Sequence, residues 1–200
     1  GLSVTGLVNP KDVKKNNGTQ CGDVLILTKP LGVGLTLNAL RMDDCSKEMQ
    51  ERVFKSMTTL NKYACDVLKK YDVHALTDVT GFGLLVHLNE MLDEKNSAVI
   101  YKDSIPYFDD CQKYVEEFYL SGAAQTNRNS VEGKIRFDCD FFTEEILFDP
   151  QTSGGLLASV SKADLERLEK DFKENNLELY VVGEVIEKNE YNVYVRGRKI

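Results

Sequence analysis

Apolar positions fall into short blocks separated by glycine, proline and polar turns, and the spacing inside each block predicts its element. Val24-Leu25-Ile26-Leu27-Thr28 is a continuous apolar run between Gly22-Asp23 and Pro30. A run of that length predicts a strand buried on both faces. Gly32 and Gly34 then precede Leu35, Leu37, Ala39 and Leu40, the opening of a helix packed on that strand. From Ser46 to Lys70 the residues Met49, Val53, Met57, Leu60, Ala64, Val67 and Leu68 recur at steps of three and four. That period predicts one long amphipathic helix with its start capped at Ser46. A second is expected over Phe82 to Glu94, where Leu84, Leu85, Leu88, Met91 and Leu92 form one stripe opposite Asn89, Glu90 and Asp93. Further helices are expected over 109–120 and 162–175, and strands over 98–101, 135–137, 146–148, 155–160, 178–186 and 191–195. Gly122 to Lys134 is polar and reads as a surface loop. Leu2 to Val8 reads as a strand ended by Asn9-Pro10, followed by a linker to Gly18. Strands and helices mix without strict β-α-β alternation, so an α+β class is expected over a doubly wound sheet.

Composition narrows the function classes. The 200 residues are 42% hydrophobic and 28% charged, ordinary values for a folded domain. The net charge of −7 gives no basic face for phosphate backbones, so no nucleic-acid partner is expected. A phosphate-bearing substrate remains compatible, because bound magnesium supplies positive charge. Cys21, Cys45, Cys65, Cys111 and Cys139 are scattered and form no CxxC pair. Neither a zinc site nor a dithiol redox motif is indicated, and reduced thiols of a cytosolic protein are expected. No apolar run approaches the roughly 20 residues that span a bilayer, so no membrane partner is expected. The chain opens on Gly1-Leu2-Ser3-Val4 without an initiator Met, as the middle of a longer protein would.

Four strings carry candidate chemistry. In Thr77-Asp78-Val79-Thr80-Gly81-Phe82-Gly83-Leu84 an acid sits ahead of a glycine-rich turn that opens a helix. Glycines let backbone approach a phosphate there, and a carboxylate so placed holds Mg²⁺ against phosphate oxygens. From the residues alone the plainer reading, Asp78 as a helix N-cap beside close-packing glycines, is favoured. Asp149-Pro150-Gln151-Thr152-Ser153-Gly154-Gly155-Leu156-Leu157 is a turn running into an apolar strand. Its glycines offer either an anion nest or a tight turn at positive φ. Lys29 in Thr28-Lys29-Pro30-Leu31-Gly32 stands at a strand end, for phosphate or for solvent. Gly122 to Asn129 presents Arg128 and several amides, an anion contact or a mobile loop.

Taken together, Leu2-Ser3-Val4-Thr5-Gly6, the run from Gly22 to Gly32, the Asp78 string and the Asp149 string resemble selenophosphate synthetases (selenide, water dikinases) in order and spacing. The resemblance covers nearly the whole chain. The pair Asp-Val-Thr-Gly-Phe-Gly-Leu and Pro-Gln-Thr-Ser-Gly-Gly-Leu-Leu distinguishes that family within a superfamily. The superfamily also holds aminoimidazole ribonucleotide synthetase, formylglycinamidine synthetase, thiamine-monophosphate kinase and a hydrogenase maturation protein. The resemblance implies a three-layer α/β/α carboxy-terminal domain over 19–200, preceded over 1–18 by the last strand and linker of an amino-terminal ATP-binding domain. It implies a phosphotransferase making selenophosphate from selenide and ATP, with release of AMP and phosphate, in a cytoplasmic homodimer. Mg²⁺ is the implied cofactor and Asp78 the implied metal ligand. The family's nucleophile (Cys or selenocysteine) and most of its ATP site would lie upstream of Gly1, so no catalytic residue is assigned and the chain alone is expected to be inactive. Val86 stands where the family has glycine before a histidine, and Ala123 and Ala124 where it has Gly-Gly-Thr, which weakens an anion role for that segment. His74 and His87 are expected to be packing or solvated histidines. The rival reading is a non-catalytic paralogue acting as a binding or regulatory subunit.

Overall fold

In a computed structural model of the chain, residues 3, 5–10 and 13–198 are described. Among them seven strands form one mixed sheet: β1 Val24–Leu27, β2 Val73–Asp78, β3 Asn96–Tyr101, β4 Ile135–Phe137, β5 Leu156–Val160, β6 Tyr180–Glu187 and β7 Val193–Arg196. Their order is β2-β5-β1-β6-β3-β7-β4. Pairing is antiparallel from β2 through β3, and parallel where β7 joins β3 and β4. Eight α-helices accompany the sheet: α1 Val33–Arg41, α2 Lys47–Thr58, α3 Lys62–Leu68, α4 Gly83–Met91, α5 Cys111–Glu116, α6 Gly122–Ser130, α7 Phe141–Phe148 and α8 Leu165–Glu174.

β1 shows why the layers number three. Leu25 and Leu27 enter a large core with α1, α2, α4, α5, α6 and α7, whereas Val24 and Ile26 enter a smaller core with α3 and α8. Alternate side chains of a strand leave opposite faces, so a strand covered on both sides must be apolar throughout. All four residues of β1 are buried, as its unbroken run predicts. The expected α+β class and three-layer arrangement are both present.

Several elements differ from expectation for physical reasons. The long helix from Ser46 is two helices. Ser46 Oγ does accept from Met49 N at 3.1 Å, but Thr59 turns extended and ends α2. Met49 and Val53 of α2 pack in the large core, whereas Ala64, Val67 and Leu68 of α3 pack in the small one, so the chain crosses the sheet's end between them. Residues 146–148 close helix α7, whose start is fixed by Asp140 accepting from Thr143 N at 2.7 Å. The expected loop over 122–134 is helix α6 through Ser130, with Ser121 Oγ accepting from Ala123 N. β2 has no counterpart in the predicted elements, because only Val73 and Ala75 of this edge strand are fully buried. Of the strand expected over 2–8, residues 3 and 5–8 are exposed and in no strand, while Leu2 and Val4 lie outside the described residues. In the linker, Lys11 and Asp12 also lie outside them; Lys15 carbonyl accepts from Leu76 N at 2.9 Å and so covers part of the β2 edge.

Candidate functional site

β1 and β2 end, and β5 begins, at one end of the sheet, with Leu27 opposite Leu157 and Asp78 opposite Leu156. Three of the four candidate strings therefore meet there. Val79 N donates to the Gly155 carbonyl at 2.8 Å, Gln151 N to the Thr80 carbonyl at 3.0 Å, and Leu156 N to Thr28 Oγ1 at 2.8 Å. A Cβ on Gly154 would stand 2.2 Å from the Val79 carbonyl oxygen, and one on Gly155 2.6 Å from Lys29 N. Neither glycine adopts positive φ, and Ser153 at φ 51 makes the left-handed step instead. The paired glycines thus serve close approach of three backbones, not an anion nest or the left-handed turn position.

Asp78 is exposed at the end of β2. The N-cap of α4 is Phe82 and no side chain caps it, so Asp78 is not the helix cap. The turn after Asp78 is held by other residues. Thr80 N donates to His87 Nε2 at 3.2 Å, and Thr80 Oγ1 lies 3.0 Å from the same nitrogen. In neutral His87 the ring proton accordingly sits on Nδ1, which lies 3.5 Å from Glu90 Oε2. Asn127 Nδ2 donates to the carbonyls of Gly81 (2.9 Å) and Phe148 (3.1 Å). Gly83 has φ 72, and a Cβ there would stand 2.8 Å from the Phe148 carbonyl oxygen, so glycine is required on both counts. His87 is a buried packing histidine, consistent with its expectation.

Asp149 has a different task. It is 2% exposed, and its Oδ2 accepts from Gly34 N at 2.9 Å and from Gln151 Nε2 at 2.9 Å. Gln151 Oε1 in turn accepts from Val33 N at 3.3 Å. The two side chains therefore cap the first turn of α1, whose own N-cap, Gly32, has no side chain. Burial pushes the Asp149 carboxyl up to about 7, against the opposing hydrogen bonds from Gln151 and the α1 backbone. Its Oδ1 has no hydrogen-bond partner among the described residues.

Lys29 is also buried. Its ammonium donates to the Thr59 carbonyl at 2.8 Å and the Ser153 carbonyl at 2.9 Å, tying the α2–α3 break to the 149–155 turn. Arg128 pairs with Glu144 and Glu145 and lies over the Phe148 ring, so it faces its own fold instead of a ligand. His74 bridges Asp23 at 2.9 Å and Asp72 at 3.1 Å. Burial lowers the basicity of His74, but the two carboxylates outweigh it and hold the imidazole above its usual range. All five cysteines are free thiols. Asn127 carries no pattern in the sequence, and although Asp149 and Gln151 lie in one of the four strings, their capping of α1 could not be read there because it acts on backbone far along the chain.

Asp78 borders a shallow depression with Lys14, Asn16, Asn61, Lys62 and Thr77. Among the described residues no three His, Cys, Asp or Glu side chains cluster as a metal cage. Asp78 alone, an exposed carboxylate without a second acid beside it among the described residues, would give a divalent cation one protein ligand.

Residues 20–196 match the family described as AIR synthase related protein, C-terminal domain. A selenide, water dikinase of Agathobacter rectalis is 44% identical over 197 residues, 98% of this chain and 58% of the relative. One of Desulfitobacterium hafniense is 41% identical over 194 residues, 96% of this chain and 57% of the relative. The chain thus spans little more than half the length of these relatives. Among solved structures, thiamine-monophosphate kinase from Stenotrophomonas maltophilia superposes with a TM-score of 0.67 at 16% identity, covering 96% of this chain and 56% of that one. The E. coli hydrogenase maturation protein HypE gives 0.62 at 16% identity, covering 91% and 48%. At such identities the structural likeness speaks for the fold alone.

Proposed function

Since the chain belongs to the family of AIR synthase related proteins, C-terminal domain, we propose that it is the carboxy-terminal part of a selenide, water dikinase. That enzyme would be an ATP-dependent phosphotransferase making selenophosphate from selenide and ATP and releasing AMP and phosphate. The observation that carries this reading is the 41–44% identity to two selenide, water dikinases over almost the whole chain. The meeting of the Asp78 and Asp149 strings at one sheet end supports it, because that meeting leaves one carboxylate exposed on a clamped turn.

In this reading Asp78 is a ligand of Mg²⁺, which when bound neutralises phosphate charge during transfer. The chain's own contribution is placement. β2 delivers the carboxylate to the sheet's end, and His87, Asn127 and Gln151 fix the backbone of residues 80–81 behind it. Positioning matters because phosphoryl transfer depends on geometry and charge stabilisation more than on covalent help from side chains. The nucleophile and most of the nucleotide site are assigned to residues outside this chain, so the isolated chain is expected to be inactive and to hold no metal tightly at Asp78. A cytoplasmic homodimer is the proposed state of the whole protein.

The test supplies ATP, Mg²⁺ and selenide to the full-length protein and follows AMP. Selenide-dependent AMP is the expected product. ADP alone, or AMP formation indifferent to selenide, would sink the reading and leave the binding or regulatory subunit as the alternative.

A further inference from the structure

We propose that the cavity beside the end of β1, which adjoins the Asp78 depression through Asn61 but is centred on Lys29, binds an oxyanion of the phosphate class, whatever the role of Asp78. The cavity measures about 350 Å³, and its walls include Lys29, Arg52, Lys55, Ser56, Asn61 and Glu178. Of these, Arg52 is offset by its partner Asp109, which leaves Lys29 and Lys55 against Glu178. Lys29 is the informative one. It is 7% exposed, and its two hydrogen-bonded partners are neutral carbonyls, those of Thr59 and Ser153. No carboxylate among the described residues pairs with it, and burial lowers its pKa. Two carbonyls need only two N–H groups, which a neutral amide would supply. The ammonium brings a third N–H and a full charge in excess of that structural task. A buried charge without a counter-charge is costly, and an oxyanion offers both the missing acceptor and the missing charge. Arg52 adds donors, because its exposed pair with Asp109 uses Nη1 alone at 2.6 Å. Lys55 is exposed at the rim. The volume accommodates a hydrated phosphate ion or the phosphoryl group of a small ester, which share the same recognition chemistry.

The test titrates inorganic phosphate, and separately phenyl phosphate, into the chain at pH 7 and low ionic strength, read by amide NMR shifts. Saturable shifts clustered at Lys29, Arg52, Ser56 and Asn61 are expected. Lys29→Gln keeps a donor but removes the charge, and is expected to weaken binding about tenfold; Lys55→Gln should weaken it about threefold. Equal binding of both probes means that the site reads a terminal phosphoryl group, and binding of the free ion alone means a site closed to esters; either outcome supports the proposal. If circular dichroism shows that Lys29→Gln is misfolded, Lys55→Gln and Arg52→Gln decide instead. Shifts that do not saturate by about 50 mM, or affinity unchanged in the folded variants, overturn it.

Discussion

Asp78 and Asp149 each open a glycine-containing string, and along the sequence the two look interchangeable. In the fold they meet at the same end of the sheet and do opposite things. The Asp149 carboxylate is buried and is itself the strut: it caps α1 and fixes the turn through Gln151. Asp78 holds nothing. Its turn is fixed from behind by His87, Asn127 and Gln151, and its carboxylate takes no hydrogen bond among the described residues. The acid available to a ligand is the one whose neighbours carry the structural work. Substitutions should therefore separate the two, one in activity and the other in stability.

The largest separation is expected for Asp78→Asn in the full-length protein. Selenide-dependent AMP formation should fall at least about a thousandfold, the scale on which removing a transition-state charge contact acts. The unfolding free energy from urea titration should stay within about 0.5 kcal/mol of wild type, as for an exposed side chain with no partner. Near-normal turnover would remove Asp78 from the site.

Asp149 should show itself through pH. Its folded pKa of about 7 lies above the ordinary 3.8, so the folded chain binds the extra proton between those values. Stability from this group is then full below about pH 4 and is lost as pH rises through about 7, by up to about 4 kcal/mol. His74, also raised, adds a decline of the same sign at pH above its ordinary 6.5. Urea unfolding at pH 5 and pH 8 measures the combined slope, and Asp149→Asn should flatten most of it. An unchanged slope in that variant would mean that Asp149 ionises as freely as an exposed acid. Next in size is Gly154→Ala, which sets a Cβ against the Val79 carbonyl and should cost about 3 kcal/mol in the same assay. A neutral result there would show that the meeting of the two strings is looser than the geometry says.

Much of this layout was legible in the sequence. The buried β1, helix α8 and strands β6 and β7 announce themselves by period and by turn residues, although β3 enters between the last two. The position of Asp78 ahead of a glycine turn was equally plain. The break between α2 and α3 was not, because the apolar stripe continues in phase while the packing partner changes from one face of the sheet to the other. Helix α6 was hidden for another reason. Its inward face holds only Ala124 and Asn127 fully buried, and Asn127 and Arg128 bond to carbonyls and carboxylates, so hydrophobic periodicity has little to detect. The division of labour between the two acids was invisible too, since the task of Asp149 depends on α1 arriving from a distant part of the chain.

The smallest effect tests whether placement itself matters. Asn127 is buried, and its single NH₂ group serves the Gly81 and Phe148 carbonyls. Asn127→Ala leaves both short of a donor, at an expected cost of about 2 kcal/mol. Asp78 would remain, but the turn beside it would be held by fewer bonds. Turnover in the full-length protein should therefore fall by about tenfold, far less than for Asp78→Asn, and the loss should accompany the drop in stability. Asn127→Asp should be worse in both assays, because it replaces the donor with a second acceptor facing carbonyl oxygens. If Asn127→Ala abolished turnover while leaving stability intact, the clamp and the ligand could no longer be told apart. Asn127 would then belong with Asp78 among the groups that touch the reacting phosphate.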